Sequence, residues 1–126
     1  MIQSQTILKI SDNSGAKTGR CIRVLRGFQR RYAGRGDVII LAVQKIRKKN
    51  KKFSKVKKGD VVKAVIVRTK SKEKKRDGFT VSFKENVVVL VNAQNKPIGT
   101  RIKGPVSQEV KKNKFMKLAS LSSGFL

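Results

Sequence analysis

The sequence predicts a mainly β fold: a small five-stranded antiparallel β-barrel with a projecting β-hairpin ribbon and two short C-terminal helices. Clusters of β-branched residues are separated by turn signals, and helical periodicity is weak before the last quarter of the chain. Because no amphipathic helix lies between the clusters, parallel crossovers are not expected. Closing an antiparallel sheet into a barrel also removes the exposed edges that invite aggregation.

Five β-branched segments are predicted to be the barrel strands, and they span residues 6–10, 20–25, 38–45, 61–68 and 87–91. The turns between them are predicted at Asp12-Asn13-Ser14-Gly15, Gly34-Arg35-Gly36, Lys58-Gly59-Asp60 and Gln94-Asn95-Lys96-Pro97. Several of these strands are almost entirely apolar. They therefore need a cover on the outer side of the barrel as well as a core inside it.

The segment from Thr69 to Phe83 is predicted to be a separate hairpin, because Asp77-Gly78 is a strong two-residue turn signal. Its arms are polar, so this ribbon is expected to project from the barrel. The whole chain is expected to be one domain, with the barrel and ribbon in residues 1–103 and a helical segment in residues 104–126.

The last quarter of the sequence carries two helix signals. Gly104-Pro105 predicts a helix with Pro at its first position, and Asn113 is predicted to cap a second helix. Phe115, Leu118 and Ala119 share one face of that second helix. We expect the two helices to close one end of the barrel.

The charge balance of the chain indicates its partner class. It has 32 Lys and Arg against 7 Asp and Glu in 126 residues, a net charge of +25. A compact domain with this excess needs a dense polyanion, and RNA, DNA and anionic lipid are the common candidates. No apolar run approaches the roughly 20 residues of a membrane span, and no signal peptide is recognisable, so no membrane partner is expected. The lone Cys21 suits a reducing compartment and is predicted to be a buried strand thiol.

The sequence does not support a catalytic, metal or cofactor site. It contains no histidine, which excludes imidazole acid-base catalysis and Cys/His zinc sites. Its acidic residues Asp12, Asp37, Asp60 and Asp77 all lie at turns, where Asp commonly binds nearby backbone. Gly34-Arg35-Gly36 has no following Lys-Ser or Lys-Thr and is interpreted as a flexible turn rather than a phosphate loop. We therefore expect a protein that is not an enzyme.

The basic residues form three groups along the chain. Residues 45–58 carry nine positive charges and no acid until Asp60, a run that is also compatible with a merely solvated loop. A second group, between residues 20 and 35, is rich in Arg, which favours forked contacts to phosphate, with Phe28 and Tyr32 as stacking or packing residues. The third group lies between residues 111 and 117. Three separated basic segments on one small barrel favour folded RNA over a DNA duplex.

The chain closely resembles the bacterial-type large-subunit ribosomal protein fourteen family over nearly its whole length. The resemblance rests on motifs that occur in series with family-like spacing, from Asp12-Asn13-Ser14-Gly15-Ala16 and Arg31-Tyr32-Ala33-Gly34 to Gly104-Pro105-Val106. The most specific stretch runs from Ala64-Val65-Ile66-Val67 through Asp77-Gly78 to Val89-Leu90. The resemblance implies a structural constituent of the large ribosomal subunit that binds its rRNA and helps to form intersubunit bridges to small-subunit rRNA.

The resemblance also implies positions and partners. The rRNA-binding candidates carried over from the family are Arg20, Arg23, Arg26, Arg30, Arg31, Arg35, Lys70, Lys72, Lys74, Lys75 and Arg76, and the charge of the basic run adds Lys48, Lys49, Lys51 and Lys52. The bridge candidates are Arg101, Lys103, Lys111, Lys112, Lys114 and Lys117. Proteins of this family pack against large-subunit proteins nineteen and three, which would cover the apolar strands, and a ribosome-silencing factor can occupy the bridge surface.

Two departures from the family pattern stand out. Residues 45–58 are longer and more basic than the usual segment, which suggests extra RNA contact, and the ending Ser122-Ser123-Gly124-Phe125-Leu126 replaces a more acidic one. The Lys-rich, acid-poor composition favours an intracellular, ribosome-bound, organelle-encoded protein of the mitochondrial matrix, with a protein of the bacterial cytoplasm as the alternative.

Two other function classes share some of these features. A free regulatory RNA or DNA binder would have the same charge, but it would bind an isolated duplex tightly or with sequence preference outside a ribosome. An enzyme acting on nucleic acid would need a positioned base or metal cluster, and Asp37 or Asp60 would then be essential for turnover.

Overall fold

The computed structural model describes residues 1–25, 27–48, 52–112 and 115–126. Within these residues, five strands form a closed barrel in the order β1 (Ile7–Ile10), β2 (Ala16–Val24), β3 (Val38–Ile46), β4 (Val61–Arg68) and β7 (Val87–Val91). A separate two-stranded ribbon pairs β5 (Glu73–Lys74) with β6 (Thr80–Val81), and two short helices follow, α1 (Gln108–Lys112) and α2 (Met116–Leu121). The predicted fold class is confirmed.

One barrel pairing differs from the fully antiparallel prediction. The four pairs formed by consecutive barrel strands are antiparallel, but β1 pairs with β7 in parallel. The reason is the odd number of strands. If consecutive strands alternate in direction around a closed ring of five, the first and the last strand run in the same direction. The chain reaches this parallel pair without a helical crossover, because the other three strands and the ribbon make the connection.

Strand β2 begins four residues earlier than predicted. Its first half contains Lys17, Thr18 and Gly19, which have no apolar alternation that would mark a strand. Gly19 leaves room for β3, because a Cβ there would lie 2.6 Å from Leu41 Cδ1 and 3.2 Å from the Ala42 carbonyl oxygen.

The barrel interior is filled by side chains that alternate along the strands. Leu8, Cys21, Leu41, Ile66 and Leu90 are each fully excluded from solvent and belong to one cluster. Burial raises the pKa of the Cys21 thiol. Cys21 is therefore the buried strand thiol predicted from its neighbours.

The outer wall of the barrel formed by β4 and β7 is covered by the chain's own C-terminal segment. Val65, Val67 and Val89 point outward from these strands and pack in one cluster with Val106 and Leu118. The expectation that the two helices close one end of the barrel is therefore wrong, because they pack against its outer wall. The expectation that neighbouring proteins cover the apolar strands is also wrong for this wall, because the chain covers it itself. Alternate residues of these two strands pack in the two clusters, which explains why residues 64–67 of β4 and all of β7 are continuously apolar.

Backbone bonds fasten this segment to the barrel. Ser107 N donates to Val67 O at 3.2 Å, and Val106 is bonded in both directions to the last residues, from its N to Gly124 O and from Leu126 N to its O, each at 3.0 Å. Pro105 precedes α1 by three residues, so the prediction of Pro at the first helical position is wrong.

The second helix packs as its sequence pattern predicted. Leu118 and Ala119 are buried, and Phe115 packs partly buried against the same cluster. The predicted cap Asn113 lies outside the described residues. Neither helix in the described part of the chain is long and apolar enough to cross a bilayer.

Candidate nucleic-acid interface

The Arg-rich group forms a basic pocket beside the start of the chain. Arg23, Arg30 and Arg31 line a pocket of about 340 Å³ together with Gln3 and Ser4. All three arginines are exposed. Arg30 Nε donates to the Tyr32 carbonyl at 3.0 Å, which orients the guanidinium group of Arg30. The structure therefore converges three of the predicted guanidinium groups on one concavity.

The remaining members of this group have different positions. Arg20 is exposed on the outer wall of the barrel, where it pairs in register with Ala42 of β3. Arg26 lies outside the described residues. Phe28 is 93% exposed and Tyr32 is 46% exposed, so both rings are accessible for stacking.

Arg35 is buried and does not lie on the surface expected for an RNA contact. Its side chain is fully excluded from solvent, with Nη2 at 2.9 Å and Nε at 3.1 Å from Glu73 Oε2. Its guanidinium also lies 5.6 Å from the ring centroid of Phe83 and donates to the Val81 carbonyl at 3.4 Å. Arg35 thus fastens both arms of the ribbon to the turn that precedes β3.

The ribbon carries exposed cations beyond this attachment. Lys70, Lys72, Lys74 and Arg76 are exposed, whereas Lys75 is half-buried and its Nζ donates to the Leu126 carbonyl at 2.8 Å. The predicted Asp77-Gly78 turn is confirmed, with Gly78 at a φ of 88° and Phe79 N donating to Asp77 Oδ1 at 3.3 Å.

The Lys-rich segment after β3 is partly anchored, which argues against a merely solvated loop. Val56 is buried, and Lys55 N donates to the Ser14 carbonyl at 2.9 Å. Gly15 permits this approach, because it has a φ of +101° and a Cβ there would lie 2.5 Å from Ser54 Oγ. Lys48 and Lys52 are exposed, while the predicted residues Lys49 and Lys51 lie outside the described residues.

The predicted bridge residues do not share one surface. Lys103 lines a cleft at the ends of β1, β2 and β3, whereas Lys117 lines another one between α2 and residues 94–96. Lys111 and Lys112 are exposed on α1, and the Lys111 ammonium lies 5.7 Å from the Phe125 ring centroid. Arg101 is exposed, and Lys114 lies outside the described residues.

The acidic residues serve the fold. Backbone N–H groups donate to all four turn carboxylates, from Ser14 to Asp12 at 3.2 Å, from Gly34 to Asp37 at 2.8 Å, from Lys57 to Asp60 at 2.8 Å and from Phe79 to Asp77. The prediction of turn chemistry is confirmed. Burial raises the pKa of Asp12, opposed by bonds from Ser14 and Leu90. Within the described residues, no three His, Cys, Asp or Glu side chains are grouped so that they could hold a metal ion.

Two ion pairs account for two further carboxylates. Glu73 pairs with Arg35, and Glu85 pairs with Lys9 at the barrel surface. Burial lowers the pKa of the half-buried Arg68, while nearby Glu85 raises it. With 7 acids against 32 cations, the large positive excess of the surface persists.

Comparison with known proteins agrees with this geometry. The sequence matches the family described as Ribosomal protein L14p/L23e over residues 1–126, which is the whole chain. The chain belongs to this family. It is a structural protein of the large ribosomal subunit, associated with the ribosome and its RNA, in a family that is generally not enzymatic.

The structure adds to what the sequence could indicate about this family member. Lys9, Lys17 and Lys45 were not among the predicted RNA contacts, yet they line the same cleft as Lys103. Lys9 and Lys17 are isolated in sequence, whereas Lys45 is the first cation of the basic run 45–58, and the register of the strands brings all three together. The signal that could have found them is outward alternation along β1 and β2, once the strand pairing is known.

Proposed function

We propose that this chain binds large-subunit rRNA through its exposed Lys and Arg side chains and thereby stabilises folded rRNA. The observation that carries the proposal is accessibility, since ten of the twelve described rRNA candidates are exposed. Arginine forks suit phosphate geometry, and lysines supply point charges along the backbone. The proposed contacts are Arg20, Arg23, Arg30, Arg31, Lys48, Lys52, Lys70, Lys72, Lys74 and Arg76, with Arg26, Lys49 and Lys51 from the sequence alone.

We propose different tasks for the two remaining rRNA candidates. The buried Arg35 positions the ribbon rather than touching RNA, because its guanidinium is already bound to Glu73 and Val81. The half-buried Lys75 ties the ribbon to the C-terminus through Leu126.

The bridge function is a second part of the proposal. Lys111, Lys112 and Lys117 are exposed on the two helices, and we propose that they contact small-subunit rRNA together with Arg101 and Lys114. Lys103 faces a different cleft, so we expect its contact to be with the large-subunit rRNA. A ribosome-silencing factor that occupied the helices would block these bridges.

The outer wall of β2 and β3 is the proposed contact for neighbouring proteins. The C-terminal segment covers the outer faces of Val65 and Val67 of β4 and of β7, whereas Ile22 of β2 is 45% exposed. Large-subunit proteins nineteen and three are the proposed partners there. We further propose that all 126 residues act as one domain, in mitochondrial ribosomes or, alternatively, in bacterial ones.

Sedimentation tests the rRNA-binding proposal. Ribosomes reconstituted with the wild-type chain are expected to retain it on the large subunit in high salt, whereas an Arg23→Gln/Arg31→Gln variant is expected to dissociate. The matched control, Lys84→Gln/Lys96→Gln, removes the same charge from exposed positions elsewhere and should be retained. Release of the wild-type chain, with tight binding to an isolated duplex, would favour a free regulatory binder instead.

A further inference from the structure

A basic cleft opens at the ends of β1, β2 and β3. It has a volume of about 1160 Å³, and seven of its eleven lining residues are Lys or Arg. None of the described residues that line it is acidic or aromatic. Resting on the RNA-binding function proposed above, we propose that this cleft binds the sugar-phosphate backbone of folded rRNA. Its principal cations are Lys17, Lys45, Arg47, Lys48, Lys58 and Lys103.

The strand register builds the centre of the cleft. Thr18 of β2 pairs with Lys9 of β1 on one side and with Lys45 of β3 on the other. The pair of Thr18 with Lys45 lies between two irregularities of the register, but Lys9, Thr18 and Lys45 all line the cleft. Neighbouring strands lie about 4.8 Å apart. Two ammonium groups therefore flank the Thr18 side chain, across a span on the order of 10 Å.

Backbone bonds hold other cations at the edge of the cleft. Arg47 N donates to the Gly15 carbonyl at 2.9 Å, and its Nη2 donates to the Ile10 carbonyl at 3.1 Å. Lys103 N donates to the Ser11 carbonyl at 2.9 Å. Because folding already fixes these backbone positions, binding a polyanion here orders little besides the lysine side chains.

The chemistry of the lining favours phosphate over bases. Proteins that recognise unpaired bases commonly stack them on aromatic side chains. The described residues that line this cleft include no aromatic side chain. The cleft is also larger than a single phosphate requires, and its positive charges are spread along it. It therefore suits several successive phosphates of a structured RNA, contacted without base preference.

The first test removes two central cations. Lys17→Gln/Lys45→Gln is expected to bind a large-subunit rRNA transcript roughly tenfold more weakly than wild type, with the salt slope reduced by about two units. Both side chains are exposed, so circular dichroism and thermal unfolding should match wild type. The control Lys84→Gln/Lys96→Gln removes the same charge outside the cleft. Its salt slope should fall by much less than half of the reduction expected for the cleft variant.

Each outcome of this test bears on one of the two proposals. Equal losses in the cleft variant and its control would overturn the cleft, while leaving rRNA binding intact. Failure of the wild-type chain to bind the transcript would overturn the proposed function itself. If the cleft variant loses binding to polyglutamate but keeps its affinity for rRNA, the cleft binds an acidic protein segment and the proposal is wrong.

A second variant changes binding in the opposite direction. Glu85 pairs with Lys9 at the cleft, so it competes with phosphate for that ammonium. Glu85→Gln is expected to tighten rRNA binding about threefold and to steepen the salt slope by up to about one unit. Unchanged or weaker binding by this variant would contradict a role for Lys9 in holding RNA.

Discussion

The two outer walls of the barrel differ in what covers them. On the β4–β7 wall, Val65, Val67 and Val89 are buried under the chain's own C-terminal segment. On the β2–β3 wall, Arg20, Arg23 and Ile22 remain exposed. The first wall is completed by folding, whereas the second offers charge and apolar surface to partners. Substitutions on the covered wall should therefore cost stability, and those on the exposed wall should cost binding.

The largest stability loss is expected from removing the central side chain of the covering segment. Leu118 is 1% exposed, and Leu118→Ala should lower the free energy of unfolding by about 2–5 kcal/mol. The control Met116→Ala, at a residue of the same helix that is 57% exposed, should cost less than about 1 kcal/mol. Denaturant unfolding measures both, and equal losses would mean that α2 does not pack on the wall as described.

A smaller loss is expected from freeing the ribbon. Arg35→Met removes the bonds to Glu73 and Val81, and should cost about 2 kcal/mol. Hydrogen exchange should accelerate at Lys75 N, which donates to Phe79 O within the ribbon. The exposed Arg31→Met is the matched control and should leave exchange unchanged. Protection of the ribbon in both variants would show that Arg35 does not fasten it.

The same substitution at a covered position in β7 and at the exposed start of β4 tests the effect of the cover directly. Val89→Thr places a hydroxyl in the covered wall, where Val89 is 0% exposed, and should cost about 1–2 kcal/mol. Val61→Thr, at 63% exposure, should change stability by less than about 0.5 kcal/mol. Thermal unfolding of the two variants measures both losses of stability. Equal losses for Val61→Thr and Val89→Thr would contradict the difference in burial between the two positions.

The pH dependence of stability should include a contribution from Asp12 near the covered wall. Burial raises its pKa, so the folded state binds a proton more readily than the unfolded state. Wild type should therefore gain stability relative to Asp12→Asn as pH falls through the raised pKa, and this gain should level off below the usual value of 3.8. Arg47 favours the charged form and moderates the effect. A difference that does not vary between pH 7 and 4 would contradict the burial.

Much of the fold could be predicted from the sequence, because its strands are marked by continuous β-branched runs. The predicted bounds of β4 and β7 match the structure end to end. The start of β2 could not be predicted, since Lys17, Thr18 and Gly19 show no apolar alternation. The parallel closing pair was predictable in principle, as it follows from an odd strand number.

The site was less accessible from sequence, because charge alone does not show where a side chain points. Arg35 looks like its exposed neighbours in the sequence, and its partner Glu73 lies 38 residues away. Likewise, Lys9 and Lys45 lie on either side of Thr18 only because of the strand register. The helices were predictable as helices, but their docking on β4 and β7 depends on which faces the barrel leaves apolar.

The salt dependence of rRNA binding tests the central claim most directly. If the exposed cations hold rRNA phosphates, raising salt from 50 to 200 mM should weaken binding of the full chain to a large-subunit rRNA transcript by roughly 10³ to 10⁵-fold, as for six to ten phosphate contacts. A change of less than about tenfold over this range would contradict the account.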